Sequence, residues 1–254
     1  MRKSAILLLS LALALPSFGA TCVTDWNYVE NGPIGPPRWG SLDLDWTACS
    51  AGRAQSPVIM RNMVLDNNLP LLNFSTSTST FTVRNAGHDL KVYVDSPAWT
   101  LRRGTEVATL TQFHFHVKAE HLEGANAIRN DGEIHFVYAT PSGKTVVVAV
   151  WITTGTANDG IGRILAAKPE TSCTTRHSTS VIAIQNFIGN WNHYATYEGS
   201  LTTPPCGQNV TFLVLLEGIT ASSEQLAGLK LLATGNARPV QDINGRTIKW
   251  RQMP

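Results

Sequence analysis

Residues 112–121 read QFHFHVKAEH, and GEIHFVY follows at 132–138. Four of the chain's seven histidines, His114, His116, His121 and His135, fall in this interval. The first run alternates. Successive side chains of a β-strand point to opposite faces, and i and i+2 stand roughly 6–7 Å apart on the same face. His114 and His116 therefore project together with Gln112, while Phe113 and Phe115 point the other way. GEIHFVY reads as a second strand, reached through the turn-rich EGANAIRNDG. Antiparallel pairing would bring His135 beside the first two imidazoles. A lone His-x-His on a strand is more often just a polar face. Three imidazoles on one face, with the cysteines far away in sequence, are the donor set of a catalytic zinc with one position left open. Gln112 and Glu133 each sit two residues before a histidine and share its face, where a polar group can fix imidazole orientation.

The rest of the chain reads mainly as strand. HDLKVYV puts Leu90, Val92 and Val94 on one face, and EIHFVYAT, KTVVVAVWIT and NVTFLVLL are further β-branched or aromatic runs. NDGE at 130–133 and PSGK at 141–144 suit hairpin turns. The repetitive STSTST at 75–80 reads as an exposed edge or loop. One helix is predicted from Ser222, with Gln225 as its capping-box partner and Gly235 near its end. With 254 residues, no internal repeat and no linker, the expectation is a single mainly β domain (α+β by count). It would be built around a large twisted, mostly antiparallel sheet with a few short peripheral helices.

The N-terminus stands apart. Arg2 and Lys3 precede an apolar run from Ala5 to Leu15, then Pro16 and small residues, the order of a secretory signal. Residues 1–20 are read as that signal and 21–254 as the domain, secreted, and periplasmic in a Gram-negative host. Without Arg2 and Lys3 the chain carries 18 basic against 18 acidic residues, so neither a nucleic acid nor, after signal removal, a membrane is expected as partner. A homodimer is left open. In an oxidising compartment Cys22, Cys49, Cys173 and Cys206 can form two disulfides, in any of three pairings.

Together QFHFHVKAEH, GEIHFVY and YEGSLTTPPC resemble the α-class carbonic anhydrases, and the likeness runs from DWNYVENG and RAQSPV to NARPVQDINGR. The resemblance implies Zn2+ on His114, His116 and His135, and an enzyme, a carbonate dehydratase, hydrating CO2 to bicarbonate by attack of a zinc-bound hydroxide. Anion and sulfonamide inhibitors are expected with it. It gives Thr202 the role of accepting a hydrogen bond from the hydroxide while donating to Glu120, and His88 that of proton shuttle. Thr203 would help hold bicarbonate, Val137, Val147 and Leu201 would form an apolar wall for CO2, and His121 would be buried and structural. Phe212 stands where the family usually has tryptophan, which narrows the ring in the pocket. Cys49 and Cys206 match a disulfide of exported bacterial members, leaving Cys22 with Cys173. Ser56–Pro57 and Pro204–Pro205 match cis prolines. The alternative is a catalytically silent binding or storage protein on the same fold. A different zinc hydrolase would need a His-x-His-x-Asp-His pattern, which the chain lacks.

Overall fold

In the computed structural model, residues 25–95, 98–233 and 235–252 are described. The signal reading of residues 1–20 and the Cys22 end of the Cys22–Cys173 pair lie outside the described residues. The alternating runs form strands as the pattern dictates. In chain order the strands are β1 (Ile59–Met60), β2 (Val64–Leu65), β3 (Leu72–Phe74), β4 (Thr78–Asn85), β5 (Leu90–Val94), β6 (Thr100–Arg103) and β7 (Glu106–His116). They continue as β8 (Leu122–Glu123), β9 (Gly132–Ala139), β10 (Thr145–Thr154), β11 (Thr175–Ala183), β12 (Tyr194–Ser200), β13 (Gln208–Ala221) and β14 (Lys249–Arg251). Twelve of them make one sheet with the path β11-β4-β5-β7-β9-β10-β13-β12-β14-β2, and β3 and β6 pair to its side. Most neighbours are antiparallel; β10 with β13 and β14 with β2 are parallel, so the sheet is mixed. Among the described residues the α-helices are four and short, α1 (Trp39–Leu42), α2 (Ala48–Ala51), α3 (Asp159–Ala166) and α4 (Ser223–Leu229).

The two faces of the sheet bury different cores. Phe113, Phe115, Phe136, Val148 and Leu213 belong to one apolar cluster. Val147, Ala149, Tyr197, Phe212 and Val214 belong to another, with Val137 and Leu201 packed against it. Period-2 alternation along β7, β9, β10 and β13 sorts residues between the two.

Three local expectations need correcting. STSTST is only half the expected loop: Ser75–Ser77 lie outside any strand with Thr76 exposed, but Thr78–Thr80 begin β4, β11 covers that strand, and Ser79 is buried. Its threonines are β-branched and fit a pleated surface. NDGE is not a tight hairpin turn, because β9 already begins at Gly132 and the link back to β7 is a longer loop. PSGK does join the antiparallel β9 and β10, with Gly143 at φ +79°. Helix α4 starts with the Ser222–Gln225 capping box but ends at Leu229. Gly235 (φ +78°) serves another purpose: a Cβ there would stand 2.5 Å from the Val117 carbonyl oxygen.

Candidate metal centre

Strands β7 and β9 pair antiparallel with His114 directly opposite His135 and His116 opposite Glu133. That register puts three imidazoles on one face, with ring centroids 5.0 Å (His114–His116), 5.5 Å (His114–His135) and 4.5 Å (His116–His135) apart. Each ring spends one nitrogen on an acceptor. His114 Nδ1 donates to Gln112 Oε1 (2.9 Å), His116 Nδ1 to the Asn236 carbonyl (2.8 Å) and His135 Nε2 to Glu133 Oε1 (2.8 Å). The opposite nitrogens are left with lone pairs facing one another, and the three rings offer ligand atoms within 4.8 Å of each other. His116 Nε2 is buried without a hydrogen-bond partner. A neutral donor nitrogen orphaned among two others is a costly arrangement without a cation to receive it, and nitrogen donors suit zinc. Burial, then the neighbouring imidazoles and Lys91, hold His114 well below the ordinary histidine range, which keeps it neutral.

Glu133 is the hub behind the rings. Its Oε2 accepts from the Glu120 and His121 backbone N–H groups at 2.8 Å, and its Oε1 takes His121 Nδ1 at 2.6 Å besides His135. Burial pushes against its charge, yet His121, His135 and these hydrogen bonds hold its carboxyl well below the usual range. His121, Glu133 and His135 also lie close enough for a metal, but they are bonded to one another. His121 Nε2 meets the Tyr197 hydroxyl at 2.7 Å, and that hydroxyl meets Ser56 Oγ at 2.9 Å. His121 is thus buried and fully engaged.

Glu120 is fully buried; Oε1 accepts from the Arg238 backbone N–H at 2.8 Å, and Oε2 has no hydrogen-bond partner. The expected Thr202–Glu120 hydrogen bond is not formed. Glu120 Oε2 instead faces the imidazoles, 3.5 Å from His116 Nε2 and 3.8 Å from His135 Nδ1. Thr202 is buried, and Leu201 and Thr203 beside it are half-buried. Their loop is tied down by the Cys49–Cys206 disulfide (Cα–Cα 4.9 Å) and by the Ser56–Ser200 hydrogen bonds; Pro204–Pro205 and Ser56–Pro57 are cis, as the resemblance implied. Val147 pairs with Val137 on one side and Phe212 on the other, so the wall residues are contiguous. The Phe212 ring stacks on Tyr197 at 5.2 Å and lies 5.8 Å from the His135 ring. His88 is half-buried against Trp26, 4.5 Å between centroids.

Sequence reasoning assigned no role to Asn236 and Arg238. Asn236 clamps the strand end that carries His116: its side chain accepts from Val117 N and donates to the Phe115 carbonyl, both at 2.8 Å. Arg238, 1% exposed, donates to Gln55 Oε1, the Ser56 carbonyl and the Cys49 carbonyl. Both sit in NARPVQDINGR, a stretch without strand or helix period.

Residues 34–252 match the family model described as eukaryotic-type carbonic anhydrase. A carbonic anhydrase of Pectobacterium carotovorum is 35% identical over 94% of this chain and 98% of its own length. The solved α-carbonic anhydrase of Thermovibrio ammonificans, in complex with the inhibitor sulfanilamide, superposes with TM-score 0.82 at 31% identity, covering 88% of this chain and 98% of that one. The dioscorin DB3S of Dioscorea polystachya is 29% identical over 95% of this chain and 92% of its own length.

Proposed function

Because the chain belongs to the eukaryotic-type (α) carbonic anhydrase family, we propose that it hydrates CO2 reversibly to bicarbonate and a proton at a zinc ion held by His114, His116 and His135. One observation carries the reading: three buried or half-buried imidazoles converge with their spare nitrogens inward, each oriented from behind by a separate acceptor. Zinc bound there would supply Lewis acidity and bring the pKa of its water down to about 7, as is established for carbonic anhydrases generally.

The chain's own residues do the rest. Gln112, the Asn236 carbonyl and Glu133 fix each ring's tautomer, so that a lone pair rather than an N–H faces inward. Glu120, when ionised, only accepts hydrogen bonds, and its Oε2, which has no partner in this structure, would take the Thr202 proton once the three imidazoles hold their metal. With that proton committed, the Thr202 oxygen is left to accept from the reacting oxygen and orient it. Val137, Val147, Leu201 and Phe212 give small, apolar CO2 a wall rather than a charged clamp. Thr203 neighbours the place where bicarbonate leaves. His88 receives the outgoing proton through water and passes it to buffer. Export by the residue 1–20 signal, and inhibition by anions and sulfonamides, belong to the same proposal.

A second reading is a binding protein on this fold without the activity; a solved dioscorin complexed with ascorbate, 28% identical with TM-score 0.82, supports the binding half of it. A stopped-flow CO2 hydration assay separates the two. Activity that chelation removes, zinc restores and a sulfonamide blocks is expected; a zinc-replete chain that hydrates CO2 no faster than buffer contradicts the proposal.

A further inference from the structure

Two charges beside His88 have no part in the chemistry proposed above. Asp89 immediately precedes β5 and Lys91 lies within it, so at i and i+2 their side chains share a face. Lys91 pairs directly with His114 across β5 and β7, which makes that face the one carrying the imidazoles. Asp89 is only 5% exposed; one of its oxygens lies 3.8 Å from Lys91 Nζ, and the other, Oδ1, is buried without a hydrogen-bond partner. His88 Nδ1 is likewise buried without a partner, and its ring lies 4.5 Å from that of Trp26 and 6.4 Å from that of Tyr28. An unfilled buried carboxylate oxygen carries a desolvation cost that the distant ammonium offsets only in part.

Among the described residues, the groups acting on the His88 charge come from several elements. Burial weighs most and disfavours the imidazolium; Asp89 favours it; Lys91 and His116 oppose it, and His88 is held below the ordinary histidine range. Tyr28 faces the same ring uncharged, its hydroxyl pushed far up by burial, Glu120 and Asp89.

We propose that Asp89 and Lys91 are an opposed pair of positioning charges for proton transfer, Asp89 drawing the outgoing proton onto His88 and Lys91 limiting how firmly it is held there. Neither touches substrate; they act through the imidazole, which must both take a proton and release it to buffer. The inference rests on reading His88 as the shuttle.

The test uses the zinc-loaded chain and its Asp89→Asn, Lys91→Met and His88→Ala variants. The His88 ring signals are assigned by their loss in His88→Ala and titrated by NMR, and CO2 hydration is measured in dilute buffer. Asp89→Asn is expected to move the His88 midpoint down by about half a pH unit and Lys91→Met to move it up by about as much, opposite signs that no general loosening would give. Asp89→Asn should also lower kcat about twofold near neutral pH, leave kcat/KM unchanged, and recover with added imidazole buffer. If His88→Ala loses rate while both midpoints stay put, or the midpoints move without any change in kcat, this inference falls and the shuttle stands. If His88→Ala keeps the full rate in dilute buffer, the shuttle reading falls and takes this inference with it.

Discussion

Strands β7 and β9 carry two opposite surfaces on the same backbone. On one, Phe113, Phe115 and Phe136 are at most 1% exposed and pack ring against ring, with Phe113 4.9 Å from Phe136. On the other, residues offset by a single position are His114, His116 and His135, whose neighbours are mostly hydrogen-bonding groups. The aromatic surface is held by area and close packing, both with sheet neighbours and with rings outside the strands such as Phe187. The imidazole surface is held by directed bonds, several of them from residues more than 100 positions away, such as Asn236 and Arg238. One surface provides stability and tolerates approximate shape; the other provides orientation and tolerates very little.

Substitutions on the two sides should therefore separate stability from rate. The largest effect on folding is expected from Phe115→Ala, which empties a fully buried site and should cost about 3–5 kcal/mol in denaturant unfolding. The folded fraction should still bind metal in full. A loss of metal stoichiometry there would blur the division.

Glu133→Gln probes the opposite surface and should cost on the order of 2–3 kcal/mol at neutral pH, since four hydrogen bonds to a charged acceptor are weakened. The sign with pH follows from its depressed folded pKa. The stabilisation is complete above the unfolded value of about 4.3 and is lost as pH falls through the folded value. Unfolding midpoints of wild type and Glu133→Gln should thus converge in acid. Midpoints that stay equally far apart at every pH would mean that the carboxylate's charge is not what it contributes.

Thr202→Ala is expected to leave stability and bound metal nearly unchanged and to lower kcat/KM about 10²-fold, the scale of an oriented transition-state hydrogen bond. An unchanged rate would remove Thr202 from the machinery. The smallest effect is expected from His88→Ala: roughly a tenfold lower kcat in dilute buffer, with kcat/KM nearly untouched and recovery in imidazole buffer. If kcat/KM fell equally, His88 would be shaping the pocket rather than carrying protons.

Much of this contrast is legible in the chain because period-2 alternation is a local signal. QFHFHVKAEH and GEIHFVY assign each side chain to a face once the strands are placed, and the turn at PSGK sets the antiparallel order of the following pair. What alternation cannot reveal is closure by distant loops. Asn236 meets His116 across 120 residues, and Tyr197 meets His121 across 76, without any pattern that marks either. The end of α4 was misplaced for a related reason: Gly235 is required by the close approach of Val117, a tertiary contact, and not by the helix. Similarly, STSTST lacks a hydrophobic face of its own, and its second half enters β4 because β11 pairs with it.

The division between the two surfaces depends on what the three imidazoles hold, and metal analysis of the purified chain tests that most directly. Elemental analysis by mass spectrometry should find about one zinc per chain in the wild type, and far less in His114→Ala, His116→Ala and His135→Ala, each with CO2 hydration nearly abolished. Wild-type protein without zinc after growth in zinc-replete medium, or full zinc in all three variants, would contradict the assignment of this face as the metal centre.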